Sequence, residues 1–192
     1  MTGIAEALRG TLAPPAPDPP LPPGVQAGVL VPVVDLPSPA VVLTRRSDTV
    51  RDHKGEISFP GGVRHAEDPD LLATALRETE EELGIAPSEV EVIGALPPTE
   101  TVVTGYVIVP YVGMLAVRPE MRPSAAEIAE VLEIEVALLT KTERAAGGPD
   151  PMGRFATWFQ YELDGHVVWG ATGRIVHSFL KALRAGGWTE EG

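Results

Sequence analysis

The chain reads as an α/β protein in which a mixed sheet is packed between helices, and three observations predict it. Short β-branched and apolar runs, each closed by Gly, Pro or Asp-Gly, recur from Val25 to Trp169. One stretch near the middle and one at the C-terminal end instead repeat apolar residues with a helical period. With 192 residues, no tandem repeat and 44% apolar content, one domain with a sizeable core is expected.

Ile4 to Arg9 is expected as a short helix, without the apolar run of a signal peptide. Pro14 to Pro23 contains Pro14-Pro15, Pro19-Pro20 and Pro22-Pro23, which forbid helix and favour extended polyproline II. Residues 1–23 are therefore read as an N-terminal segment and packed proline-rich arm, and residues 24–192 as the main domain. Deleting residues 1–20 is expected to spare the site.

Val25 to Val34 and Ala40 to Thr44 read as two strands around the turn Pro37-Ser38-Pro39, and Ile57 to Phe59 as a third. Asp68-Pro69 is read as opening the central helix and Gly84 as closing it. Val90 to Leu96 is a further strand. Val102 to Val117, interrupted by Gly105, Pro110 and Gly113, is one long strand or two consecutive ones, too short to span a bilayer. Ile128 to Ile134 reads as a strand and Val136 to Leu139 as a helical turn. Gly147 to Pro151 reads as a mobile loop. Phe155 to Leu163 and His166 to Trp169 form a hairpin about Asp164-Gly165. The last helix runs from about Thr172 to Leu183, burying Ile175, Val176, Phe179, Leu180 and Leu183.

A net charge of -12 argues against nonspecific nucleic-acid binding, so a polyanionic substrate would need a metal and local basic residues. Cysteine is absent, which excludes disulfides, thiolate catalysis and Cys-rich zinc sites and fits a cytoplasmic protein.

The chemistry is concentrated in Ser58 to Ile85, where an apolar strand and a Gly-Gly turn lead to a helix crowded with carboxylates. At 100° per residue, Leu72, Leu76, Thr79 and Leu83 form the stripe expected to pack on the sheet. Glu78 and Glu82, four apart, lie together along its flank. Arg77 can pair with Glu81 and hold it towards them, while Glu80 falls on the opposite flank. Three converging carboxylates with oxygen ligands only suit a hard cation such as Mg²⁺ or Mn²⁺.

Arg77-Glu78, Glu81-Glu82 and Gly84-Ile85, with Gly62 upstream, resemble the Nudix box. Here Asp68 stands where the common box has Glu, one extra residue precedes Arg77, and Thr79 replaces an apolar residue. The longer pattern Arg51-x-His53-x-Gly55-x-Ile57-x-Phe59-Pro60-Gly61-Gly62, then Asp68, then Thr74-Ala75-Leu76-Arg77-Glu78, resembles the coenzyme A pyrophosphatase branch, whose box carries that extra residue.

The resemblance implies a Nudix-type α/β/α sandwich with a mixed β-sheet, and hydrolysis of a nucleoside diphosphate derivative with Mg²⁺ or Mn²⁺. Glu78 and Glu82 are the expected metal ligands, with Glu81 completing the shell and a backbone carbonyl at Gly61 as a further ligand. Arg77 is expected to orient Glu81. The base for the attacking water is sought in Glu127 or Glu100 outside the box, or in Glu81 or Glu82. Arg45, Arg46, Arg51, His53 and Lys54 form the densest basic cluster, placed to contact substrate phosphates, the 3′-phosphate of coenzyme A included. Trp169-Gly170 resembles a family stretch and reads equally as an apolar anchor into the core.

The expected activity is hydrolysis of coenzyme A or its thioesters to 3′,5′-ADP and 4′-phosphopantetheine or its acyl form. The alternatives are a hydrolase of ADP-ribose or another nucleoside diphosphate derivative, and a noncatalytic nucleotide-binding domain of the same fold. The expected partner is a small nucleotide, with neither nucleic acid nor membrane. A homodimer is left open.

Overall fold

The computed structural model describes residues 3–16, 18–48, 54–101, 105–147, 157–163 and 165–189. Its centre is β1 (Val25–Val34), paired in parallel with β7 (Tyr106–Leu115) over its whole length, from Val25 opposite Tyr106 to Val34 opposite Leu115. On the other side β1 turns antiparallel into β2 (Ala40–Arg46) and also pairs with β4 (Gly61–Val63). β3 (Ile57–Ser58) and β8 (Ile128–Glu135) are antiparallel to β2. β5 (Glu91–Ala95) and β6 (Thr99–Glu100) are antiparallel to β7. The sheet is thus mixed, as expected. A smaller antiparallel sheet joins β9 (Arg144–Gly147), β10 (Thr157–Leu163) and β11 (His166–Val168).

β1 is buried from Ala27 to Val34, the continuous apolar pattern of a strand covered on both faces. Val29, Val31 and Val33 point to one side, where α1 (Ile4–Arg9), α3 (Val136–Thr142) and α4 (Gly170–Ala185) supply Leu8, Leu139, Ile175 and Phe179. Leu30 and Val34 point to the other, against Leu71, Ala75 and Leu83 of α2 (Leu71–Leu83). Helices therefore cover both faces of the sheet, and the five apolar residues expected inside α4 are all buried.

The N-terminal segment is built into this core. Ile4, Ala7 and Leu8 are buried, Leu8 completely. The arm bridges Ala13 to Ala95, accepts a hydrogen bond at Ala16 O from the Tyr111 hydroxyl (3.1 Å), and places Asp18 Oδ1 at the Leu71 N–H (3.1 Å). Dispensability of residues 1–20 does not survive this packing.

Two further expectations change, at the start of α2 and at Trp169, and at β7 the one-strand alternative is the one met. α2 starts at Leu71 with Asp70 as N-cap, its side chain accepting from the Ala73 N–H (2.8 Å), because Asp68 is drawn away to other partners. β7 runs unbroken through Pro110 and Gly113; Pro110 lacks an N–H, but its carbonyl still accepts from Leu96 (2.9 Å). Trp169 is 57% exposed, so it does not anchor in the core. β9 has no β-branched residue to announce it. Of the Gly147 to Pro151 loop, residues 148–151 lie outside the described residues, as does Asp164 of the hairpin. No helix among the described residues is long and apolar enough to cross a membrane.

Candidate active site

α2 lies so close to β1 that only glycine fits beneath it: a Cβ on Gly28 would stand 2.2 Å from Leu71 O and 3.3 Å from Ala75 N. That approach fixes the buried face of the helix as Leu71, Thr74, Ala75, Thr79, Glu82 and Leu83. The expected stripe of Leu72, Leu76, Thr79 and Leu83 is therefore rotated, leaving Leu72 and Leu76 half-buried at its edge. Glu82 lies near the centre of the face and is only 4% exposed.

The helix ends cleanly. Gly84 takes the left-handed conformation (φ 73°) that a C-terminal cap favours, and its N–H returns to Glu80 O. The Arg122 and Ser124 N–H groups then donate to Leu83 O (2.7 Å) and Glu82 O (3.0 Å), so the loop before β8 is tied to the carboxylate end of α2. The same loop presents Glu127 O to the Ser47 N–H (2.7 Å).

Arg77 organises one side of the site. Its Nε and Nη2 grip Asp68 at 2.8 and 2.9 Å, Nη2 also lies 2.9 Å from Glu78 Oε1, and Nη1 reaches Glu81 Oε2 at 3.0 Å. Asp68 is buried and receives two more bonds, from the Thr74 hydroxyl (3.0 Å) and the His65 N–H (2.9 Å). The Arg77 bonds, with these two, hold its carboxyl well below the usual carboxylate range despite burial. Its partner's guanidinium is held more firmly protonated still.

Glu82 is in the opposite condition. Burial and the neighbouring Glu78 push its carboxyl up to about 7, against Arg46 and the Gly61 N–H that donates to it; Glu127 adds a further upward push. Its Oε2 is buried without a hydrogen-bond partner, and Arg46 Nη1 stands 3.8 Å from Oε1. Glu78 leans over the glycine turn, where a Cβ on Gly62 would come within 2.6 Å of its Cδ. Gly62 is the space that Glu78 occupies.

These residues fit a hard divalent cation. The donors are all oxygen, one of them a buried carboxylate oxygen left without a partner beside a second carboxylate. The expected convergence of three carboxylates is corrected to two. Arg77 holds Glu81 outward, 59% exposed, and among the described residues no three acidic or histidine side chains close on one point.

The basic cluster divides. Arg46 faces Glu82, whereas Arg45, its neighbour on the pleated strand, pairs with Glu130 at 3.0 Å. Arg51 and His53 lie outside the described residues, and Lys54 is exposed. Glu127 is exposed and near enough to act on the Glu82 carboxyl. The Glu100 backbone carbonyl accepts from Arg174, and Glu100 is not among the groups acting on Glu82. Gly61 meets Glu82 through its N–H, which brings to the carboxylate the backbone expected to supply a carbonyl. Reading the sequence missed Asp68 as the anchor of Arg77, although its place in the box was the available signal. Nothing in the sequence marked Asp18 as a partner of α2.

The NUDIX domain model matches residues 24–159. Among curated proteins, the chain is 37% identical to the uncharacterized Nudix hydrolase NudL of Pectobacterium atrosepticum, over 79% of this chain and 79% of that one. It is 38% identical to the NudL of Escherichia coli, over 84% and 83% of the two chains. Among solved structures it resembles a MutT/nudix family protein from Enterococcus faecalis (TM-score 0.57, 15% identity, 86% of this chain and 64% of that one). It also resembles the NUDIX domain of Shewanella oneidensis NrtR in complex with ADP ribose (TM-score 0.50, 18% identity, 63% and 79%). Both likenesses concern the fold alone.

Proposed function

The chain belongs to the Nudix hydrolase family, and within it we propose a divalent-metal-dependent pyrophosphohydrolase that cleaves the diphosphate of coenzyme A or its thioesters. The observation that carries the hydrolase reading is Glu82: a carboxylate buried at the centre of a helix face, one oxygen without a partner, with Glu78 beside it. Burying such a group unpaired is costly, and a fold that retains it gains little unless a cation is to meet it. That arrangement speaks against a noncatalytic nucleotide-binding domain, which has no need to retain all of it.

Glu78 and Glu82 would hold the cation, with Glu81 reaching it once released by Arg77. A divalent cation bound there neutralises diphosphate charge and makes water a nucleophile near neutral pH. Asp68 and Arg77 fix Glu78 before substrate arrives, which is preorganisation rather than chemistry, while Arg77 keeps Glu81 turned outward in the metal-free protein. Glu127 is our candidate for the base that takes a proton from the attacking water, supported by its exposure on the loop bound to α2 and by its effect on the Glu82 carboxyl. Arg46 would meet a phosphate oxygen of the substrate, a role supported by its position 3.8 Å from Glu82.

The coenzyme A assignment rests on the pattern from Arg51 to Glu78, since the helix sets the reaction while the loops choose the substrate. The test is a panel of coenzyme A, acetyl-coenzyme A, 3′-dephospho-coenzyme A and ADP-ribose with Mg²⁺ or Mn²⁺, read by product mass. The reading expects 3′,5′-ADP and 4′-phosphopantetheine from coenzyme A as the fastest reaction. ADP-ribose as the better substrate by a wide margin overturns the assignment and leaves the metal helix standing. Turnover of no dinucleotide favours the noncatalytic domain.

A further inference from the structure

Arg46 is held in a way that its local structure does not require. Its backbone is fixed: the N–H donates to Glu56 O (3.0 Å), the carbonyl accepts from the Gly55 N–H (3.2 Å), and the next N–H donates to Glu127 O. The ladder between β2 and β8 shifts register between Arg45 and Arg46. The side chain, by contrast, is only loosely engaged among the described residues. It makes no hydrogen bond among the described residues, its Nε is buried without a partner, and its nearest carboxylate oxygen is Glu82 Oε1 at 3.8 Å. One residue earlier, Arg45 makes a full ion pair with Glu130 at 3.0 Å, so the strand can bring an arginine into contact where contact is the purpose.

Arg46 and Glu82 are therefore matched in charge but not bonded, and each keeps an unmet buried polar atom. Such a pair balances charge while leaving the ligand positions of both groups free. A guanidinium has five N–H donors suited to phosphate, and a carboxylate oxygen without a partner suits a cation.

We infer that Arg46 is an exchangeable counter-ion. In the metal-free protein it offsets the Glu78 and Glu82 charge; once a divalent cation is held by Glu82, the same guanidinium turns to the substrate diphosphate. The inference rests on the metal-helix reading and adds effects of opposite sign on metal and on substrate. Arg46 and the cation carry like charge and share one carboxylate, so removing Arg46 strengthens metal binding in the substrate-free protein. The same removal weakens diphosphate binding in the metal-loaded protein. A residue that merely shapes β2 would leave both unchanged or weaken both.

The test titrates Mn²⁺ into the parent, Arg46→Met, Arg46→Gln and Arg46→Lys, with free Mn²⁺ read by electron paramagnetic resonance. About pH 8.5 keeps the proton from competing with the metal for Glu82. Binding of α,β-methylene-ADP to the Mn²⁺-loaded proteins is then measured by calorimetry. Arg46→Met and Arg46→Gln are expected to bind Mn²⁺ about tenfold tighter than the parent, and Arg46→Lys within about threefold of it. The diphosphate analogue should bind at least about tenfold more weakly to Arg46→Met and Arg46→Gln. The glutamine variant keeps the comparison open if the methionine variant does not fold. Unchanged or weaker Mn²⁺ binding in the folded neutral variants overturns the inference alone. A parent that binds no Mn²⁺ overturns the metal-helix reading with it.

Discussion

Asp68 and Arg77 are joined by two parallel bonds, Oδ1 to Nε at 2.8 Å and Oδ2 to Nη2 at 2.9 Å, which tie the loop before α2 to the helix carrying the carboxylates. The pair is mostly buried, and Arg77 extends it to Glu78 and Glu81. Asp68→Asn is expected to cost about 3 kcal/mol, the low end for breaking a buried pair because Arg77 keeps two partners. The folded carboxyl titrates below its unfolded value of 3.8, so its stabilisation is complete above that value and lost as pH falls further. Urea midpoints should therefore differ at neutral pH and draw together towards about pH 2. A gap that persists in acid would assign the loss to packing instead of charge.

Glu82 predicts the opposite slope in the metal-free protein. Its folded carboxyl is raised from 4.5 to about 7, so the folded state holds the proton that the unfolded state has released. Stability should fall as pH rises across that window, by about 3 kcal/mol for this group alone. Glu82→Gln should flatten the profile, and Mg²⁺ should restore stability at the alkaline end. Thermal melts in chelator and in Mg²⁺ read all of this. Equal pH profiles for parent and variant would place Glu82 in contact with solvent.

The N-terminal segment is expected to be indispensable. Leu8 is completely buried with Ile4 and Ala7 against α4, and Asp18 caps the Leu71 N–H while pairing with Arg64. Leu8→Ala should lower stability by about 2 to 4 kcal/mol, and deletion of residues 1–20 should abolish the cooperative melt. A truncated protein with the parent's melting temperature and metal affinity would show the arm to be an appendage.

Arg45 should matter little to catalysis. Its guanidinium is engaged by Glu130, whose carboxyl that bond draws below the ordinary range. Arg45→Ala is expected to change kcat/KM on coenzyme A and on 3′-dephospho-coenzyme A by less than about threefold, the scale of a partly exposed ion pair. A selective loss on coenzyme A would return Arg45 to the 3′-phosphate.

The parts legible in the sequence are those fixed by local pattern. The bounds of α1, the apolar face of α4, the cap at Gly84 and the grouping of Glu78 with Glu82 follow from periodicity and from residues with single conformational uses. What was not legible depends on how closely elements approach. Gly28 and Ala75 let α2 sink onto β1 and turn Glu82 from the flank to the centre of the buried face, a rotation that the larger Leu72 and Leu76 conceal. Asp68 looked like a helix cap because its real partner, Arg77, lies nine residues along the chain. Arg45 and Arg46 looked like one cluster because adjacency in sequence hides the pleat that sends them to different carboxylates.

The central claim is that one face of α2 holds the catalytic cation, and turnover of coenzyme A by single carboxamide variants tests it most directly. With Mg²⁺ saturating, Glu78→Gln and Glu82→Gln should each lower kcat by at least ~10²-fold, the scale of losing part of a preorganised electrostatic site. Both should retain the parent's circular dichroism. Glu80→Gln, on the exposed side of the same helix, should stay within about threefold of the parent. Sensitivity of Glu80 equal to that of Glu82, or full activity in Glu82→Gln, would contradict the account.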